Sequence, residues 1–376
     1  MTTTSTLDRP RPSLSIPTWS RYDDLQAKHG YPLVSVLMST TPGRPMTPAE
    51  RARLDALVQR ARERVALEFD TAITETVIAP LEALATSAAA SPAADGLALF
   101  SGAGYVHGFR LSSPVDDRVV VDGTFATRDI VRLLTRQPPC RVLVLGGGTA
   151  RLFVTTGPFV HEVQDDRFPI LSGEAESMGD DRRGHLHQAE RTHRRTSRWD
   201  GFLRQVDHAL TADPSTRALP LVIAATEPIT SRFRLLTDAD VIGVLPGNYL
   251  RSRPSRLRHA AASVIDLHLA RLALDDLGEL ARAERRRHAL YDINEIWQAS
   301  LDRSLRLLLV GNEFRFPATV DDSGRALVPS PDAEAPGVID DAVDEIIEAV
   351  LRAGGRVRFV PDDNLPSGIA AVANAR

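Results

Sequence analysis

The sequence predicts a multidomain chain that mixes α+β and α/β units. Three observations carry that expectation. The chain has 376 residues, and at roughly 100–200 residues per domain that length suits two or three domains. Hydrophobic residues make up 43% and charged residues 25%, close to globular averages, which excludes a wholly disordered or fibrous chain. Strand-like and helical hydrophobic periods alternate along the sequence and restart near Arg136-Gln137-Pro138.

Residues 1–20 are rich in Thr, Ser and Pro, have no hydrophobic period and read as a mobile tail, with folding beginning near Tyr31. The apolar run 33–38 predicts a strand, ended by the turn chemistry of Thr41-Pro42-Gly43. Thr47-Pro48-Ala49-Glu50 gives an N-cap, a proline at the first helical position and a Glu three residues after the cap, a capping box. The helix that follows places Leu54, Leu57, Val58, Ala61 and Val65 on one face. Residues 95–111 predict two strands around Ser101-Gly102-Ala103-Gly104, and 118–122 a third, so the first unit is α+β.

After the restart, 142–145 and 152–154 read as strands joined by a tight turn at Gly146-Gly147-Gly148. A polar stretch follows from 164 to 198, then an amphipathic helix with Trp199, Phe202, Leu203, Val206 and Leu210 on one face. Buried-type strands are expected at 221–225 and 241–245, with a short helical segment between them. Pro254 opens a long helix to about Leu280, apolar at Leu257, Ala261, Val264, Ile265, Leu269 and Leu272. The last third predicts a helix at 291–300, strands at 305–310 and 314–320, a charged proline-rich loop, a helix at 340–352 and a strand at 356–360. That helix has Asp340, Asp341, Asp344 and Glu345 in its first turns and Gly354-Gly355 after Arg352, as the macrodipole and glycine-cap rules require. This is an α/β/α unit.

Composition limits function. A net charge of -4 is too small to imply a general polyanion-binding or acid-seeking protein, and the 45 basic residues are all Arg except Lys28, a bias of genomic base composition from which no function follows. Cys140, the single cysteine, excludes an intramolecular disulfide framework and a Cys-rich zinc ribbon and fits a reducing compartment. It opens an apolar run, so a buried structural thiol is expected. The first residues lack the apolar core of a signal peptide, and no run of about 18 uncharged apolar residues occurs, so a cytoplasmic protein without membrane contact is expected.

Gly146 to Thr149 follows a strand, but G-x-G-x-x-G and Gly-Lys-Ser/Thr are absent and a strand follows, so a hairpin turn is expected rather than a nucleotide loop. His185 and His187, with His193, Asp180 and Asp181 nearby, offer metal donors on paper, although no helical spacing fixes their geometry. A solvated polar loop is the alternative, and neither metal nor cofactor is assigned. No G-x-S-x-G elbow occurs. The strongest local feature is charge. Between 182 and 198 stand Arg182, Arg183, Arg191, Arg194, Arg195 and Arg198 with three histidines, against the single acid Glu190. Guanidinium groups bind phosphates bidentately, which suits a nucleic-acid backbone, while a solvated helix face stays open on charge alone. Arg251, Arg253, Arg256 and Arg258, and Arg282, Arg285, Arg286 and Arg287, could extend a basic track or merely decorate helices.

The order of parts resembles the bacterial archaeo-eukaryotic release factor family, relatives of the class 1 peptide-chain release factor and Pelota of archaea and eukaryotes. The resemblance rests on Tyr31-Pro32-Leu33-Val34-Ser35-Val36, Asp95-Gly96-Leu97-Ala98-Leu99-Phe100, Arg118-Val119-Val120-Val121 and Arg151-Leu152-Phe153. It continues through Phe202-Leu203-Arg204-Gln205-Val206-Asp207, Pro220-Leu221-Val222-Ile223-Ala224 and Gly354-Gly355-Arg356-Val357. It implies an N-terminal α+β domain at 21–137, a central ribonuclease H-like domain at 138–275, and a C-terminal α/β/α domain of the kink-turn-binding ribosomal-protein type at 276–376. A final strand near 367–373 is implied as well.

In the translational members of that family a Gly-Gly-Gln loop precedes a long basic helix, and its glutamine orients water at the peptidyl-tRNA ester. The corresponding place here is Arg183-Gly184-His185-Leu186-His187-Gln188, without Gly-Gly-Gln. Gly184, His185 and Gln188 are therefore the candidate catalytic residues, and Arg182, Arg183, Arg191, Arg194, Arg195 and Arg198 the candidate RNA-binding ones. The departure puts ester hydrolysis in doubt. The expected function is a ribosome-associated translation factor for rescue or hibernation, with rRNA or tRNA and a translational GTPase as partners. A metal-assisted hydrolase using His185 and His187, and a stress-related protein-binding scaffold, stay open.

Overall fold

The computed structural model describes residues 14–157, 159–172, 188–214, 216–335 and 337–374, with 188–198 described by their backbone alone. The chain divides into two compact units, one made of 1–136 together with 275–376 and the other of 137–274. Its architecture is α/β, with several sheets and packed helices.

Regular structure occurs within the stretch 14–20, part of the expected tail. Leu14–Ser15 forms β1, and Thr18 caps α1 (Trp19–Gln26) by accepting a hydrogen bond from the Arg21 N–H. Tyr22 and Leu25 of α1 are buried, so folding begins well before Tyr31. β2 (Leu33–Ser39) leads to α2 (Pro48–Glu68), whose start carries the full capping box between Thr47 and Glu50. Hydrogen bonds from the Thr47 backbone and side chain, helped by those from Thr41, pull the Glu50 carboxyl down to about 2 against the opposing effect of burial. Next come α3 (Thr71–Ala90), β3 (Gly96–Gly102), β4 (Tyr105–Leu111), β5 (Arg118–Asp122) and α4 (Arg128–Arg136). The strands form one sheet in the order β1-β4-β3-β2-β5. Both its faces are covered. Val34, Val36 and Met38 pack with α2 and α3, while Leu33 and Leu37 face the opposite side with Phe100 and Phe109. A strand covered on both faces reads as a continuous apolar run, which is why 33–38 shows no alternation.

The second unit holds β6 (Cys140–Gly146), β7 (Thr149–Thr156), β8 (Phe159–Glu162), β9 (Ile170–Leu171), α5 (Gln188–Thr211), β10 (Leu221–Ala225), α6 (Glu227–Arg234) and β11 (Val241–Pro246). Its sheet runs β11-β10-β6-β7-β8, with β9 also paired to β7. β6, β10 and β11 are parallel, and β7 is antiparallel to β6 and to β8. α5 covers one face through Phe202, Leu203, Val206 and Leu210. The first turns of α7 (Pro254–Arg285) cover the other through Leu257 and Ala261. β11, expected as a buried strand, lies at the sheet edge and is half-exposed along most of its length.

The first unit resumes with the last turns of α7, then β12 (Ala289–Leu290), α8 (Ile293–Leu301), β13 (Leu305–Gly311), β14 (Ala318–Val320), β15 (Leu327–Pro329), α9 (Ala342–Arg352), β16 (Arg356–Val360) and β17 (Ile369–Ala373). The sheet order is β12-β17-β13-β16. The second strand expected at 314–320 shortens to β14, which pairs with β15 in a separate two-stranded sheet. Its first residues are drawn away by α9: Phe316 N–H donates to the Asp341 carboxylate, and Ala342 N–H donates to the Phe316 carbonyl. One hydrophobic core joins both stretches of this unit, with Phe100, Phe109, Ile130 and Leu134 packed alongside Trp297, Leu308, Ile346, Ile347 and Val350. No helix among the described residues is long and apolar enough to cross a membrane.

Candidate functional site

In the second unit, what the sequence reads as turns and loops gathers at one edge of the sheet, where the parallel strands β6, β10 and β11 end. Pairing of Gly146 with Thr149 leaves Gly147 and Gly148 as a two-residue turn with φ of 52° and 72°. Both are left-handed, the geometry in which glycine costs least and which matches the twist of a hairpin. A Cβ on Gly146 would sit 3.1 Å from the Leu250 side chain, so the loop after β11 closes directly on this turn. Arg151 fixes that closure. It donates to the Leu250 carbonyl at 2.6 Å, pairs with Glu162 at 2.6 Å, and lies 4.9 Å from the centre of the Phe153 ring.

The chain reaches the segment 173–187 from the same edge. Leu171 pairs with Thr149, and Ser172 N–H donates to the Gly148 carbonyl at 2.7 Å. α5 returns from it, running antiparallel to β6, because its far end is fixed where β6 begins. There the Arg141 side chain, 1% exposed, donates to the carbonyls of Leu210, Arg217 and Leu219. Along its length α5 is pinned further by Asp200, which pairs with Arg232 of α6, and by Asp207, which accepts from the Thr237 hydroxyl. α6 and α7 also start from this edge, after β10 and β11.

Electrostatics follow from that convergence. Helix N-termini carry partial positive charge, and ligands of open α/β sheets bind outside the carboxyl ends of the strands. Arg251, Arg253 and Arg256 are exposed here, and neither they nor half-buried Arg258 form an ion pair among the described residues. Such an edge can hold an extended anion with separated charges, of which a nucleic-acid backbone is one.

Of the sequence-predicted site residues, Arg182, Arg183, Gly184, His185 and His187 lie outside the described residues. Gln188 is the first residue of α5, and Arg191, Arg194, Arg195 and Arg198 follow on its backbone, with their side chains outside the description. The structure therefore places the predicted basic helix at the carboxyl edge and adds the cluster at the start of α7. Cys140 is buried, which pushes its thiol up to about 12, so it is a structural side chain.

Sequence reasoning missed two sets of residues. Arg141, inside an apolar strand, carries no pattern that marks it as the anchor of α5. In the first unit, Arg128 pairs with Asp341 at 2.8 Å, and Thr127 N–H donates to Asp344 at 2.8 Å. The Thr127 hydroxyl and Gln26 both donate to Glu348. Asp341, Asp344 and Glu348 recur at three- and four-residue spacing on one side of α9, whose other side is apolar at Val343, Ile346, Ile347 and Val350. That signal was present in the sequence, but it looked like acidic decoration of a helix start.

The resemblance stated from sequence holds over residues 139–303, the second unit and the stretch of the first that follows it, which match the model of bacterial archaeo-eukaryotic release factor family 3. No curated protein matches the chain. Among solved structures, archaeal Pelota in a ribosome-bound model with ABCE1 is similar at 11% identity, with 96% of this chain and 95% of that chain covered and a TM-score of 0.40. S. cerevisiae Dom34, a translation termination-like factor, is similar at 13% identity over 76% of each chain, with a TM-score of 0.38. The archaeal translation termination factor aRF1 is similar at 12% identity over 95% of this chain and 97% of that chain, with a TM-score of 0.25. These likenesses are remote.

Proposed function

We propose, from the family match over residues 139–303, that the chain is a ribosome-associated translation factor. It docks the carboxyl edge of the central sheet on rRNA or on the acceptor end of a tRNA, in rescue or hibernation of ribosomes, with a translational GTPase as accompanying partner. The observation that carries the reading is the convergence at one edge of the Gly147-Gly148 turn, the start of α5 with its arginines, and Arg251, Arg253 and Arg256, which are exposed and form no ion pair among the described residues.

The central unit is read as a ribonuclease H-like domain. Its strand order β8-β7-β6-β10-β11, antiparallel over the first three and parallel over the last three, supports that reading. The C-terminal α/β/α stretch is read as the kink-turn-binding ribosomal-protein type, and the chain as three domains divided near 137 and 275. Peptidyl-tRNA hydrolysis is inefficient in this reading, because His185 and Leu186 stand where the second glycine and the glutamine of the family loop are expected. Co-sedimentation of the full chain with ribosomes across a salt titration tests the function. A steep loss of binding with salt is the expected result, and absence of sedimentation at low salt rejects it.

A further inference from the structure

Three helices of the C-terminal stretch end in the same hydrogen-bonded turn, a Schellman motif, in which one residue takes the left-handed conformation. After α9 that residue is Gly354, with φ of 79°, Gly355 N–H donating to the Val350 carbonyl and Gly354 N–H to Leu351. After α7 it is Arg287, with φ of 59°, His288 N–H donating to Ala283 and Arg287 N–H to Glu284. After α8 it is Arg303, with φ of 52°, Ser304 N–H donating to Ala299 and Arg303 N–H to Ser300. An L-residue with a Cβ is disfavoured in this conformation, and glycine is the usual occupant. Arg287 and Arg303 are the non-glycine residues with positive φ among those described.

The two arginines also share a location. β12 and β13 flank β17 on either side, and both start where β17 ends. Ala373 N–H donates to the His288 carbonyl and Asn374 N–H to the Ser304 carbonyl, so each arginine immediately precedes a residue tied to the end of β17. With strands about 4.8 Å apart, their backbones lie about 10 Å from one another. Arg282, Arg285 and Arg286 of the α7 terminus stand beside Arg287, and all five guanidinium-bearing residues are exposed.

The acids nearby are mostly committed elsewhere. Asp302 accepts Arg325 through both oxygens at 3.1 Å, Glu279 pairs with Arg306 and Arg356, and Asp292 caps α8. Glu284 has no ion pair among the described residues, and it stands against Arg282, Arg285, Arg286, Arg287 and Arg303. Leu301, 44% exposed, is a lone apolar side chain and does not make the apolar core of a protein interface. The left-handed backbone at both positions closes a helix cap, and each position also presents an exposed guanidinium with no ion pair among the described residues.

We infer that this sheet end, with Arg287 and Arg303 at its centre, is a second RNA contact that grips the phosphodiester backbone independently of α5. Neither arginine contributes to the fold through its side chain, so the turns should accept glycine. The double variant Arg287→Gly/Arg303→Gly is expected to melt at or above the wild-type temperature. Binding of the full chain to a short fluorescein-labelled RNA duplex, read by anisotropy across a salt series, should show a log Kd against log salt slope flatter by about 1.8 units, two phosphates at about 0.9 each. Asn at both positions, which tolerates the left-handed backbone, should reproduce the effect. The Arg191→Ala/Arg194→Ala/Arg195→Ala variant serves as the comparison for the α5 reading. If that variant flattens the slope and the glycine and asparagine pairs do not, the present inference fails while the α5 reading stands. Loss of binding to a labelled polyglutamate peptide with RNA binding intact would also overturn it, in favour of an acidic protein partner.

Discussion

Arg128 donates to the Asp341 carboxylate at 2.8 Å across 213 positions of sequence, with side chains 1% and 5% exposed. The same guanidinium donates to the carbonyls of Gly311 and Asn312, and the same carboxylate accepts the Val343 N–H at the start of α9. The pair therefore ties the first stretch of the chain to the last at a point where α9 begins. Removing one partner of a buried pair leaves the other charged, dry and unsatisfied. Arg128→Ala should destabilise the first unit by about 3–5 kcal/mol. Hydrogen exchange should show protection falling together in 128–136 and 342–352, with 140–146 unchanged. Equal loss in all three segments would deny the pair its local role.

Glu348 predicts a pH dependence. Burial, then the neighbouring Asp344 and Glu345 charges, push its carboxyl well above the usual range, while hydrogen bonds from Gln26 and Thr127 act the other way. Arg352 stands 3.6 Å away. A carboxyl raised in the folded state contributes stability that is fully present below the ordinary carboxyl range. That contribution is lost as pH rises through the folded value. Glu348→Gln keeps a carbonyl oxygen for Gln26 and Thr127 and cannot ionise. Near pH 4 it should match the wild type, and by pH 8 it should be more stable by on the order of 2 kcal/mol. Denaturant midpoints at the two pH values decide it, and parallel curves would sink the assignment.

Local chemistry was legible in the sequence, and long-range chemistry was not. Thr47 and Glu50 specify their cap within four residues, Gly147-Gly148 their turn within two, and Gly354 its helix end within one, so each is written in adjacent positions. α1 and α4 escaped notice because their burial depends on partners far along the chain. Tyr22 and Leu25 join a core with Ile346 and Val350, and Arg128 and Asp129 are buried charges that pattern reading assigns to solvent. α3 is apolar at most positions and contains Pro80, which blurs its helical period. The candidate site divides the same way. Its arginines are visible as charge, but their gathering at the carboxyl edge depends on the strand order β11-β10-β6-β7-β8, which no single segment encodes.

Arg141 anchors α5, and its loss should be felt at the other end of that helix. Four hydrogen bonds run from its guanidinium to the carbonyls of Leu210, Arg217 and Leu219. Arg141→Met fills much of the volume and leaves those carbonyls without their donor, at about 1–3 kcal/mol for each that stays dry. Amide protection should fall first in 205–211. Ribosome binding should weaken in step with it if α5 carries the contact, whereas intact binding with a loosened helix would place the contact elsewhere.

The arginines of α5 predict a salt slope. Each phosphate neutralised contributes about 0.7–0.9 to the logarithmic dependence of binding on salt. Replacing Arg191, Arg194 and Arg195 by Ala should therefore flatten the slope of ribosome association by up to about 2–3 units if each meets a phosphate. An unchanged slope rejects this helix as the contact.

Catalysis gives the sharpest test of the proposed function. Bringing a water to the peptidyl-tRNA ester needs close backbone approach, which paired glycines allow, and one side chain within hydrogen-bond reach of the reacting carbon. Here Gly184 is followed by His185 and Leu186, whose Cβ atoms oppose that approach, and Gln188 already belongs to the first turn of α5. A residue held in a helix cannot be carried forward with the loop unless that turn unwinds. Release of peptide from stalled ribosomes by the wild-type protein should therefore be at or near the uncatalysed rate, and Gln188→Ala should leave both that rate and ribosome binding unchanged. Dependence on His185 or His187 would appear instead as a titration near the histidine range or as sensitivity to a chelator. Robust release that Gln188→Ala abolishes and a chelator does not touch would overturn the non-catalytic reading, and would require the first turn of α5 to open on the ribosome.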